Sequence, residues 1–134
     1  MLRFTSVLAP NLVAAFVLLC SISSIAKAED GDPAKGQKIF MKCQVCHSLD
    51  AGTNKVGPSL HGVIGRPSAS EANFSYSDAM KNAHVTWDTA TLDKYLTNPK
   101  AMVPGTKMLF PGLPKPEDRA NLIAYLQQAA GSAQ

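Results

Sequence analysis

Cys43-Gln44-Val45-Cys46-His47 places two thiols three positions apart, with an imidazole directly after the second. Cys-x-x-Cys-His has the spacing for covalent haem attachment. Each thiol can add across one vinyl group on the haem edge to form a thioether, and the adjacent imidazole reaches the iron from one face. Three other chemistries use similar residues. A thioredoxin-like redox pair needs a βαβ setting, and no alternating strand pattern flanks the motif. A structural zinc site needs two more ligands at suitable spacing. The remaining histidines, His61 and His84, are far apart, and the third cysteine, Cys20, lies in the N-terminal apolar run. A plain disulfide leaves His47 without a role. The motif therefore predicts one haem c bound through Cys43 and Cys46, with His47 on the iron.

A haem iron held by one histidine has a further position to fill or to leave open. His61, His84, Met80, Met102 and Met108 are the candidates; Met41 is too close to the attachment motif. Local sequence favours Met108, in Pro104-Gly105-Thr106-Lys107-Met108-Leu109-Phe110-Pro111-Gly112, because a proline-pinned loop can hold a methionine toward the iron with little flexibility. The competing role for such a residue is ordinary core filling. His61 and His84 read as loop or surface histidines.

The elements that position these groups read as helices and loops. Asp32-Pro33 has the cap and first-turn residues of a helix, and Gly36, Ile39 and Phe40 give it an apolar face leading into Cys43. Residues 50–76 read as loop. A short helix is predicted over Ser77–Asn82 and a clearer one over Asp88–Thr97, with Leu92, Tyr95 and Leu96 on one face and Pro99 limiting it. Residues 98–115 read as a second long loop. The last helix starts near Pro116, with Glu117 and Asp118 where the dipole favours acid and Leu122, Tyr125 and Leu126 as its buried stripe. No period-2 strand is evident. So much loop needs something large and rigid to fold around, and a bulky apolar cofactor supplies it.

The N-terminus has its own pattern. Arg3, the apolar run Leu12–Cys20 and the small-x-small Ala26-Lys27-Ala28 follow the order of a secretory signal peptide. The continuous apolar core is short for a membrane span, which needs about 20 such residues. Leu19 before Cys20 disfavours a lipid anchor. Cleavage after Ala28 is expected, giving residues 1–28 as signal and 29–134 as one domain in the periplasm or otherwise outside the cytoplasm. The precursor carries 13 basic and 10 acidic residues. Without Arg3 and Lys27 the mature chain is nearly neutral, which argues against nucleic acid as a partner; electrostatic function must come from local clustering.

Beyond these readings, the chain resembles the class I c-type cytochromes, and most the short bacterial members closest to mitochondrial cytochrome c. The likeness covers roughly residues 32–127 and rests on motifs in order. Gly36-x-x-x-Phe40 precedes Cys43-x-x-Cys46-His47; Gly57-Pro58-x-Leu60-His61-Gly62 and Gly65-Arg66 follow. Then come Phe74-x-Tyr76-Ser77-Asp78-Ala79, Trp87, Tyr95-Leu96-x-Asn98-Pro99-Lys100, Pro104-Gly105-Thr106-Lys107-Met108-x-Phe110 and Leu122-Ile123-x-Tyr125-Leu126. The resemblance implies an all-α small cytochrome c fold, with about four or five short helices and long loops around one covalent haem. It implies Met108 as sixth ligand. The Pro58 carbonyl would accept from His47, and Arg66, Tyr76 and Trp87 would bond to or neutralise the inner haem propionate. Tyr95 and Thr106 would sit on the Met108 side. The first and last helices would cross, with Gly36 permitting close approach and Phe40 near Tyr125. Met80 stands where the family often has asparagine, and Ala69 and Asn73 stand where glycines are common, which bears on the propionate-side network.

With histidine and methionine both on the iron, the expected function is single-electron transfer and not catalysis. The carrier would be soluble and exported and would dock with membrane redox complexes, such as a quinol-oxidising complex and a terminal oxidase or reaction centre. A monomer is expected, meeting them through a haem edge rimmed by Lys38, Lys42, Lys55, Lys100, Lys107 and Lys115. Two alternatives are a dedicated electron-accepting subunit of a periplasmic dehydrogenase and an open-site haem enzyme or gas-binding module.

Overall fold

Asp32 turns the chain into its first helix by accepting hydrogen bonds on its carboxylate from the backbone N–H groups of Ala34 and Lys35, at 2.9 and 3.3 Å. The structure, a computed structural model, describes residues 31–131; the expected signal peptide and its cleavage point lie outside them. Helix α1 spans Pro33–Phe40, α2 Asp78–Lys81, α3 Thr89–Thr97, α4 Pro99–Met102 and α5 Pro116–Ala129. The only β pairing among the described residues is a single bridge between Pro67 and Thr86. The all-α expectation holds.

Each short helix has a side-chain cap where the sequence provides one. Ser77 Oγ accepts from Met80 N–H at 3.1 Å, and Asp88 Oδ1 accepts from Thr91 N–H at 2.7 Å. α4 corrects the expectation of an unbroken loop over 98–115. Pro99 does limit α3, but it also suits the first turn of the next helix. Asn98 Oδ1 caps that helix through Ala101 N–H at 3.0 Å. α5 starts at Pro116 without a side-chain cap.

α1 crosses α5 so closely that a Cβ built on Gly36 would overlap the Asn121 carbonyl. Asn121 is itself buried, and its Oδ1 accepts from Asp32 N–H at 2.7 Å. Phe40 and Tyr125 meet at the crossing with ring centroids 5.4 Å apart. The buried stripe of α5 is Leu122, Ile123 and Leu126; Tyr125 is half-buried and packs beside it. α3 presents Leu92, Tyr95 and Leu96 to the same core. Arg119 of α5, also buried, holds α3 and the preceding loop together. Its Nε donates to Asp93 Oδ1 at 2.7 Å, and its other donors reach the Leu113 and Pro114 carbonyls at 2.9 and 3.1 Å. Among the described residues, no helix is long and apolar enough to cross a membrane.

Candidate haem-binding site

The turn that follows α1 sets the two cysteines. Backbone bonds from Cys43 and Gln44 N–H to the Phe40 carbonyl, and from Cys46 and His47 N–H to the Cys43 carbonyl, continue the helical winding through the motif. Residues three apart in such winding lie on one side, so Cys43 and Cys46 face together with His47 close behind. Both cysteines are free thiols. Burial pushes the Cys43 thiol up to about 11, with the Lys42 charge pulling the other way.

His47 Nδ1 lies 2.7 Å from the Pro58 carbonyl oxygen. A carbonyl can only accept, so Nδ1 carries the proton. Burial holds the imidazole below its usual range, outweighing the opposite pull of that hydrogen bond. A neutral ring protonated at Nδ1 presents a bare lone pair at Nε2, the state a metal ligand requires. Gly57 makes room for the ring: a Cβ there would overlap the imidazole. Gly57 N–H also donates to the Cys46 carbonyl at 2.8 Å, tying this loop to the attachment turn.

From Pro58 a continuous set of contacts runs to Met108. Arg66 donates through NH2 to the carbonyl of Ser59, the next residue, at 2.8 Å. The Arg66 carbonyl accepts from Trp87 N–H at 2.9 Å. The buried Trp87 ring lies 4.8 Å from that of Tyr95. The Tyr95 hydroxyl donates to Met108 Sδ at 3.5 Å, and Met108 N–H donates to Thr106 Oγ1 at 3.2 Å. Burial raises the Tyr95 phenol, with the Thr106 hydroxyl pulling the other way, so Tyr95 stays a donor.

Tyr76 joins this set through Glu71, whose N–H donates to the Tyr76 hydroxyl at 3.2 Å. Glu71 Oε2 in turn pairs with Arg66 NH1 at 2.6 Å. Glu71 and Asn121 lie outside every motif of the sequence that points to a site. Ala69 and Asn73 have φ of 56° and 58°. These left-handed conformations explain why glycine suits both positions. Met80 is half-buried against the core. His61 turns its Nδ1 to the Leu49 carbonyl at 3.2 Å, and His84 is exposed. The donor set of two thiols, one neutral imidazole and one oriented thioether fits a covalent haem.

The fold and this set define a small helical electron-transfer protein carrying one covalently attached haem c. A family model, Cytochrome c, matches residues 33–130. Cytochrome c2 of Rhodomicrobium vannielii is 53% identical over 102 residues, covering 75% of this chain and 82% of that protein. Cytochrome c of Ulva intestinalis is 52% identical over 109 residues, covering 80% of this chain and 98% of that one. The solved structure of cytochrome cH from Methylobacterium extorquens superposes with a TM-score of 0.70 at 43% identity, over 73% of this chain and 99% of that chain. The chain belongs to the cytochrome c family, whose members transfer electrons and are not enzymes.

Proposed function

We propose that this protein is an exported, soluble single-electron carrier in which His47 and Met108 both ligate the haem iron. The observation that carries the reading is the matched support of two iron-binding atoms. The Pro58 carbonyl orients the His47 ring, and the Tyr95 hydroxyl holds the Met108 sulfur. The bound haem supplies a one-electron ferrous–ferric couple, and methionine ligation favours its reduced state. The residues around it keep both ligands in one place, so little reorganises as the charge changes. Trp87 and Tyr95 fill the interior between the two supports and exclude water. Arg66 and Tyr76 supply donors for the inner propionate.

The mature chain on this reading begins at Glu29 and works in the periplasm. Its partners are membrane redox complexes, such as a quinol-oxidising complex and a terminal oxidase or reaction centre. The proposed docking lysines, Lys38, Lys42, Lys55, Lys100, Lys107 and Lys115, are all exposed. Lys55 Nζ reaches the Gln44 carbonyl at 2.9 Å, which puts one of these charges beside the attachment turn. Val45 within that turn and Leu109 beside the sixth ligand are 74% and 97% exposed. Exposed apolar residues with lysines near them in sequence suit a brief encounter, because a carrier must also leave.

Carbon monoxide binding tests the ligation. Ferrous wild-type protein is expected to resist it and Met108→Ala to bind it readily. Equal binding by the two would mean an open iron site, and the carrier reading would give way to an enzyme or gas-binding one. N-terminal sequencing of exported protein checks the start at Glu29.

A further inference from the structure

Arg66 is already paired with a carboxylate that the chain itself supplies. Its NH1 lies 2.6 Å from Glu71 Oε2, and the two side chains are only 14% and 12% exposed. NH1 also donates to the His61 carbonyl and NH2 to that of Ser59, each at 2.8 Å. Of the five guanidinium N–H donors, those three bonds leave Nε–H and one NH2 hydrogen for another acceptor. The donors are therefore not exhausted, but the single positive charge is already matched.

The loop around Glu71 is built to return the carboxylate to this place. Ala69 and Asn73, two residues to either side, both take left-handed backbone conformations. Ser70 Oγ donates to the Pro67 carbonyl at 2.7 Å, and Asn54 Nδ2 donates to the Ala72 carbonyl at 2.9 Å. Glu71 N–H is fixed on the Tyr76 hydroxyl, whose ring packs edge-on against Phe74 at 4.8 Å.

We infer that Glu71 is a positioning residue for electron transfer: it clamps the Arg66 guanidinium and, by matching its charge, holds the haem midpoint potential below the value Arg66 alone would set. The physical reason is electrostatic. An unmatched guanidinium near the haem opposes the extra positive charge of ferric iron, and a carboxylate beside it offsets that effect. The inference rests on the proposed placement of Arg66 beside the inner propionate.

A double-mutant cycle on the holoprotein tests it, read by equilibrium redox titration. Glu71→Gln keeps an oxygen that can accept from Arg66 but removes the charge. Its midpoint potential is expected to shift upward, on the order of a tenfold change in the reduction equilibrium, which is about 59 mV for one electron. Arg66→Gln is expected to shift it downward, and the double variant, which also avoids a lone buried charge, to return near wild type. Asp93→Asn breaks the Arg119 pair elsewhere and is expected to leave the potential in place even if the fold weakens. An unmoved or lowered potential in Glu71→Gln, with Arg66→Gln lowered, overturns the role of Glu71 alone. An unmoved potential in Arg66→Gln overturns the placement of Arg66 and the inference with it. Should Glu71→Gln fail to yield holoprotein, the double variant decides: a potential as low as that of Arg66→Gln overturns the inference. A shift in Asp93→Asn equal to that in Glu71→Gln also overturns it, as a sign of general loosening.

Discussion

The Tyr95 hydroxyl donates to the Met108 sulfur across 3.5 Å, while Met108 N–H donates to the Thr106 hydroxyl two residues back. The methionine is thus held at both its backbone and its side-chain end. Tyr95 comes from α3, whose packing on α5 fixes it in the core. Trp87 backs its ring. The position of the Met108 sulfur is therefore an output of core packing and does not depend on the loop alone.

Tyr95→Phe should cost about 1 kcal/mol of stability at neutral pH, the worth of one ordinary hydrogen bond. It should also lower the midpoint potential, because the lost donor no longer withdraws density from the sulfur. Burial raises this phenol above its ordinary value of 10.0, so folding favours the neutral form. The stability this contributes is complete below the unfolded pKa and is lost as pH rises through the higher folded one. The difference between wild type and Tyr95→Phe should therefore shrink above about pH 10, as read by urea unfolding across pH. A gap that stays constant to pH 11 and beyond would count against a buried neutral phenol.

Gly36→Ala should destabilise the protein by about 1–3 kcal/mol, the usual cost of overpacking. The added Cβ meets the Asn121 carbonyl, which is backbone and cannot swing away. Thermal unfolding measures the loss. The potential should stay near wild type, since the added Cβ meets Asn121 and Tyr125 and neither Tyr95 nor Met108.

Cys43→Ala and Cys46→Ala should each leave a single thioether. Mass spectrometry of denatured wild type should show the gain of one haem that withstands unfolding, and each variant should give a lower yield of that product. No mass gain in wild type would remove the covalent cofactor altogether.

Most of the fold was legible because the helix starts carry their own local signals. Asp32-Pro33, Ser77 and Asp88 cap the elements expected of them. α4 is hidden in the sequence because Pro99 signals the end of α3, although Asn98 before it is equally a start signal. The Cys43-x-x-Cys46-His47 motif is legible from residue type, and Met108 stands out by its proline-flanked sequence. Glu71 is not, because an acidic residue in a loop rich in Gly, Ser and Asn looks solvated. The loop with left-handed turns at Ala69 and Asn73 brings it back onto Arg66. Arg119 was equally hidden: its burial depends on Asp93, twenty-six positions away.

Charge reversal at the proposed docking edge should change how fast the carrier meets its partners more than how tightly it binds. Lys107 adjoins Met108 and Lys42 adjoins Cys43, and both are exposed. Each exposed pair they form is worth less than about 1 kcal/mol, but together such charges steer encounter. Lys42→Glu and Lys107→Glu should slow second-order electron transfer to an acidic membrane partner. Salt should shrink the slowing, because the Debye length falls from about 30 Å at 0.01 M to about 10 Å at 0.1 M. Lys94→Glu is the control: Lys94 is exposed on α3, outside the proposed edge. Stopped-flow kinetics at several ionic strengths separates the cases. Equal slowing at Lys94 and Lys107, or rates indifferent to salt, would reduce these lysines to ordinary solubilising charges.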